Sequence, residues 1–344
     1  MQKISAIAQL TVCYLLTIFF FCYFLKGSVN IIYKDDTTFT DIISNSPKTQ
    51  QKETKKKVKK TENKTTENSS QKSEKTAQVS ASAVKGKIVT RYISPYNASQ
   101  NYDSVYLKNS SDKKVDLKEL LNQKSSFKIE KNSTPQVLIM HTHTTESFMQ
   151  KQSDYYTEED KPRSLDNGKN MVKLGQIITQ KLNENGIKTL HDKTKHDYPE
   201  YTGSYGRSAA TVKKYLQKYP SIKVVIDLHR DSVTQDGKKA KLVTKIGGKN
   251  AAQVMLVMGS NSSLNEYPNW QKNLSLAVKF QQKLELTYPT LARPLLLRTA
   301  KYNQNLTTGS MLLEIGTEAN TMQEAEYSAQ LVATALAKTL ENLK

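Results

Sequence analysis

Three stretches of the chain set chemically capable side chains at the end of, or inside, an apolar run. The first is Val137-Leu138-Ile139-Met140, followed by His141, Thr142, His143, Thr144, Thr145, Glu146 and Ser147. The second is Val224-Val225-Ile226-Asp227-Leu228, followed by His229, Arg230 and Asp231, and the third is Met311-Leu312-Leu313-Glu314-Ile315-Gly316. In open α/β sheets ligands bind beyond the carboxyl ends of the strands, so such positions are where a site is expected. His143 and Glu146 are three residues apart and would lie on the same side of a tight turn or a first helical turn. With His229 they make a set of two imidazoles and one carboxylate, which suits zinc and leaves one coordination position open for water. Zinc lowers the pKa of such a water to about 7, and a nearby carboxylate can accept its proton and pass it to a leaving nitrogen. Glu314 is the expected base, because a carboxylate between Leu313 and Ile315 would be costly to bury unpaired.

Each piece alone says little, since a lone histidine at a strand end is more often structural. The joint occurrence is what points to Zn2+: three of the five histidines stand at the ends of two predicted strands, and a third strand carries a lone carboxylate. His141 is the alternative ligand. A His-x-His pair after a strand also opens the metal site of the barrel amidohydrolases, but that fold needs eight βα units and the folded region is short for them. His191 and His196, in a loop-like segment, read as solvated surface residues.

The elements that would position these groups alternate along the chain. Val137–Met140 and Lys223–Leu228 read as buried strands. Met171, Leu174, Ile178 and Leu182 have helical spacing between Asn170 and Asn185, and Gly186 stops the helix. A strand at Ile187–Leu190 and a helix at Ser208–Lys218 would follow. Lys241–Ile246 and Gln253–Met258 read as two strands around the turn Gly247-Gly248-Lys249-Asn250. A helix over Asn269–Leu286, strands at Pro294–Arg298 and Met311–Ile315, and a last helix entered through a capping box at Thr321 and Glu324 complete the pattern. The fold class expected is α/β, a mostly parallel sheet flanked by helices on both faces.

The rest of the chain frames that domain. Ile4–Leu25 is an uncharged apolar run between Lys3 and Lys26, long enough to cross a hydrocarbon core about 30 Å thick, with no small-residue cleavage site behind it. Residues 1–27 are therefore expected to be a short cytoplasmic stub and a single-pass transmembrane anchor, 28–87 a disordered lysine-rich linker, and 88–344 a domain outside the cytoplasm with its core at 135–344. Of the net charge of +19, a surplus of eight sits in the linker, where Lys48–Lys87 holds twelve lysines against four glutamates, so the charge is not spread over the folded part alone and nucleic acid is not the expected partner. Cys13 and Cys22 both fall in the apolar run, so no disulfide braces the downstream domain.

From Pro135 onward the chain resembles the stage II sporulation protein P family of endospore-forming bacteria. The resemblance rests on Val137–Ser147, Ser204-Tyr205-Gly206-Arg207-Ser208, Ile226–Asp231 and Leu312–Gly316. It implies a divergent zinc-dependent N-acetylmuramoyl-L-alanine amidase with a zinc-exopeptidase-like fold, removing stem peptides from peptidoglycan, with endopeptidase activity as a second cut. It also implies work at the sporulation septum and engulfing membrane, beside a lytic transglycosylase and a polytopic membrane protein. On this resemblance His143, His229 and Glu314 match the family's residues. Glu146 departs from ordinary amidases, whose carboxylate ligand comes from the start of the first helix; here Asp166-Asn167-Gly168-Lys169-Asn170 offers no glutamate, and His-x-x-Glu is the arrangement of zinc carboxypeptidases. Arg207 and Arg230 are the expected receptors for stem-peptide carboxylates, a role that suits guanidinium forks. A peptidoglycan-binding module without activity and a surface zinc peptidase acting on protein are the competing readings.

Overall fold

The computed structural model describes residues 84–262 and 266–343. The expected transmembrane anchor and nearly all of the expected linker lie outside the described residues. Among those described, no helix is long and apolar enough to cross a membrane. The elements in chain order are β1 (Val84–Arg91), β2 (Gln100–Tyr102), β3 (Val105–Asn109), α1 (Leu117–Asn122), β4 (Val137–Met140), β5 (Tyr155–Thr157), α2 (Met171–Glu184) and β6 (Thr189–His191). They continue with α3 (Ser204–Lys218), β7 (Val224–Asp231), β8 (Thr234–Gln235), β9 (Lys238–Ile246), β10 (Lys249–Ala252) and β11 (Val254–Gly259). The last are α4 (Trp270–Thr287), β12 (Leu295–Arg298), a 3-10 turn at Gln304–Leu306, β13 (Ser310–Thr317) and α5 (Met322–Glu341).

Helices and strands form where local chemistry asks for them. Asn170 caps α2 by accepting a hydrogen bond from the Val172 N–H, and the Thr321–Glu324 capping box opens α5 as expected. Along α2, Met171, Leu174, Ile178 and Leu182 are wholly buried, each such aliphatic contributing about 1.5–3 kcal/mol of transfer free energy. Gly186 leaves the helix at φ 77°, a conformation that glycine adopts without strain.

An eight-stranded sheet, ordered β2-β3-β12-β11-β13-β7-β4-β6, forms the centre. Side chains alternate across it. Val137, Ile139, Val224, Ile226, Leu228, Met311, Leu313 and Ile315 join the main core with α2, α4 and α5, while Leu138, Met140 and Val225 pack with Val212 of α3 on the other face. The α/β class is therefore found with helices on both faces, and the central sheet is mixed, with five of its seven ladders parallel. β2 runs antiparallel to β3 and β11 antiparallel to β13. A second sheet, β10-β9-β1-β5 with β8 on β9, is antiparallel except for the β1–β9 pair.

This second sheet also bears on two of the expected segments. β1 takes in Val84–Lys87, residues that the sequence assigned to the linker. Lys85 and Lys87 face solvent there, and Gly86 admits the Tyr156 ring, 2.6 Å from where a Cβ would sit. The Gly247-Gly248 turn does reverse the chain, but the strand it returns is β10, and β11 then leaves for the central sheet.

Candidate functional site

Residues two apart in a strand share a face, so in β7 Ile226 and Leu228 enter the main core while Asp227 and His229 turn to the opposite side. β13 lies parallel to β7 in a register that pairs Leu312 with Asp227 and Glu314 with His229. Glu314 thus stands beside His229 on the same face. The sequence placed His229 after its strand, whereas β7 runs on to Asp231, held by pairing with β13 as far as Thr317.

The turn after β4 supplies the other two groups. It is pinned by Thr142, whose N–H and Oγ1 donate to the two carboxylate oxygens of Asp227 at 2.7 and 2.6 Å. The turn closes with the Glu146 N–H on the His143 carbonyl. Glu146 Oε2 accepts from the Arg230 N–H at 3.1 Å and lies 3.6 Å from His229 Nδ1. The rings of His143 and His229 meet edge to face with centroids 5.2 Å apart. Around His143, Tyr201 stacks at 4.6 Å with its hydroxyl 3.2 Å from Nε2, Ser204 Oγ lies 3.4 Å from Nδ1, and Tyr205 adds an edge contact. The structure therefore brings His143, Glu146 and His229, all buried, together with the half-buried Glu314 into one cluster.

Charge in the cluster is uneven. Burial opposes a proton on His229, but Asp227, Glu146 and Glu314 push its imidazole up to about 10. His143 is held neutral, down to about 4, chiefly by burial and against the pull of Glu146. Burial, with Asp231 and Glu146 adding repulsion, pushes Glu314 up to about 8 against the pull of His229 and Arg293. Two enclosed polar atoms lack hydrogen-bond partners: Glu314 Oε2 and His229 Nε2, although Asp227 Oδ1 stands 2.8 Å from the latter.

The unpartnered Glu314 Oε2, beside two imidazoles and a carboxylate, makes the donor set right in kind for zinc. The geometry is not closed: among the described residues no three His, Cys, Asp or Glu side chains stand as they would around a metal ion. His143 keeps its nitrogens on Tyr201 and Ser204, and one of those contacts has to break for it to ligate.

The other expected site residues are held by partners of their own. His141 does not join the cluster: Nδ1 contacts the Leu228 carbonyl at 3.0 Å and Nε2 lies 2.8 Å from His191 Nε2, beneath Gly175 of α2. His191 and His196 are not solvated surface residues. His191 pairs with His141, and His196 is buried with its nitrogens on the His141 carbonyl and Thr211 Oγ1. Arg207 donates to the carbonyls of His196, Thr202 and Glu200, and Arg230 to those of Ser147, Asp231 and Pro162. These two guanidiniums brace loops around the site. Sequence reasoning passed over Asp227, which the Asp-x-His spacing in a β-branched strand puts on the His229 face, and Tyr201, which no periodicity announces.

Residues 22–337 match the family described as stage II sporulation protein P (SpoIIP). The stage II sporulation protein P of Bacillus subtilis (strain 168) is 29% identical over 208 residues, which is 57% of this chain and 49% of that relative, so the chain matches about half the relative's length. Among solved structures, the N-acetylmuramyl-L-alanine amidase Ami1 from Mycobacterium smegmatis overlays with a TM-score of 0.38 at 12% identity, covering 62% of this chain and 98% of that one. The CwlD amidase from Clostridioides difficile, solved with the GerS lipoprotein, gives 0.38 at 12% identity over 60% of this chain and 98% of its own.

Proposed function

Since the chain belongs to the stage II sporulation protein P family, we propose that it is a zinc-dependent peptidoglycan hydrolase of sporulation, cutting the amide between N-acetylmuramic acid and the stem peptide. A cut within the stem peptide is its second activity. The reading is carried by one observation: His143, Glu146 and His229 adjoin one another, and Glu314 on the neighbouring strand has an enclosed Oε2 without a hydrogen-bond partner.

His143, Glu146 and His229 would hold the zinc, which when bound supplies Lewis-acid activation of water and of the amide carbonyl. Glu314 takes the proton of the attacking water at its free oxygen and hands it to the leaving nitrogen. A carboxylate that burial keeps basic suits that exchange near neutral pH. Asp227 orients His229: anchored by Thr142, it stands 2.8 Å from Nε2 and fixes how the imidazole presents its other nitrogen. The Arg230 N–H steadies Glu146 in the same way.

In this reading residues 1–27 anchor the chain in the membrane and the hydrolase works outside the cytoplasm, at the septum and engulfing membrane. A lytic transglycosylase and a polytopic membrane protein are its expected partners, on the family resemblance of its motifs. The test is release of stem peptides from purified sacculi, followed by mass spectrometry, with and without a chelator. Release abolished by chelation and restored by zinc is expected. Release that ignores chelation would remove the metal, and no release under any metal would leave a binding module.

A further inference from the structure

A third arginine is built differently from Arg207 and Arg230. Arg163 pairs with Glu146 through an isolated antiparallel bridge, which sets it on the rim of the cluster. Its Nη1 donates to Asp197 Oδ2 at 2.5 Å and reaches Thr145 Oγ1 at 3.4 Å. The guanidinium carbon lies 4.6 Å from the centre of the Tyr201 ring, the ring that also stacks on His143 at 4.6 Å. Asp197 is fully buried while the Arg163 side chain stays 38% exposed. Among the described residues Nε and Nη2 donate to nothing, so the solvent-facing edge of the fork is unused. Asp197 is fixed in place by the N–H and hydroxyl of Thr145, so it holds one nitrogen of the fork and leaves the rest of it free.

A guanidinium held by one nitrogen and stacked on an aromatic ring has little conformational freedom left to lose, and its Nε–Nη2 edge matches the two oxygens of a carboxylate. We propose that Arg163 is the substrate-carboxylate receptor of this site, binding a free carboxylate of the stem peptide through that edge. Two contacts of 4.6 Å to one ring keep it at most about 9 Å from His143. An extended peptide advances about 3.5 Å per residue, so the carboxylate belongs to one of the first two or three residues from the amide that is cut. The inference rests on the peptidoglycan reading above and names the feature of the peptide that is recognised.

The test uses synthetic N-acetylmuramoyl peptides that carry either free carboxylates or the corresponding carboxamides, with the full chain. Wild-type protein should favour the carboxylate form about 10- to 100-fold in kcat/KM, through KM, as charge-assisted bidentate contacts do. Arg163→Gln should lose most of that preference and Arg163→Lys, which keeps the ion pair to Asp197 but not the fork, should lose part of it. Calorimetric binding of both peptides to Glu314→Gln protein gives the same comparison without turnover. Wild-type protein that binds both peptides equally, or Arg163→Gln protein that keeps the full preference, overturns the proposal. A carboxylate preference in binding with no cleavage of either peptide would instead overturn the hydrolase reading and leave the receptor standing.

Discussion

Glu314 of β13 is the register partner of His229 of β7, side by side on the sheet face that carries the candidate site. Because the strands are parallel and paired here, neither residue can move away without breaking the ladder, so the proposed base and the proposed ligand are held together by backbone rather than by loop.

The first prediction separates the two. Glu314→Gln keeps the shape and removes the proton acceptor, so turnover should fall about 100- to 10,000-fold with the fold and bound metal retained. His229→Ala should instead lose the metal, as read by zinc content after dialysis. Glu314→Gln protein as active as wild type would show that another group is the base.

The second concerns pH and the metal-free protein. Glu314 moves from 4.5 to about 8 on folding, so the folded state keeps a proton that the unfolded chain gives up, and stability falls as pH rises across that window. His229, moved from 6.5 to about 10, adds to the fall above 6.5. His143 and His141, down to about 4, and His191, down to about 3, act on the other limb: buried neutral, they lose stability as pH drops below 6.5. Urea midpoints measured in chelator should therefore peak near pH 6.5, and Glu314→Gln should flatten the alkaline limb. A midpoint that climbs through pH 8 would refute this.

The third tests the histidine pair under α2. Alanine for glycine inside a helix ordinarily gains about 1 kcal/mol. At Gly175 the new Cβ would lie 2.4 Å from His191 Nε2 and 2.8 Å from His141 Nε2, and His141 is held from behind by the Leu228 carbonyl. Overpacking should win, with a net loss of about 1–3 kcal/mol in denaturant unfolding. A variant more stable than wild type would mean that the rings yield freely.

What could be read from the chain follows what is local. β4 falls on Val137–Met140 as expected, and α2 and α5 follow their periodicity and caps. The Gly247-Gly248 turn was legible too, but not that four residues, Lys249–Ala252, are enough to complete the hairpin before Val254 crosses to another sheet. His143, Glu146, His229 and Glu314 were visible because each adjoins or interrupts an apolar run. Arg163, Tyr201 and Asp197 lie in irregular segments whose meeting depends on tertiary turns, so no spacing in the sequence joins them.

The most direct measurement is anomalous diffraction at the zinc edge from crystals of the chain grown with zinc. A single peak bound by His143, Glu146 and His229, with Glu314 within hydrogen-bond reach of the open position, is the expected result. A folded chain that shows no peak there at saturating zinc, or a peak bound by other residues, would contradict the account.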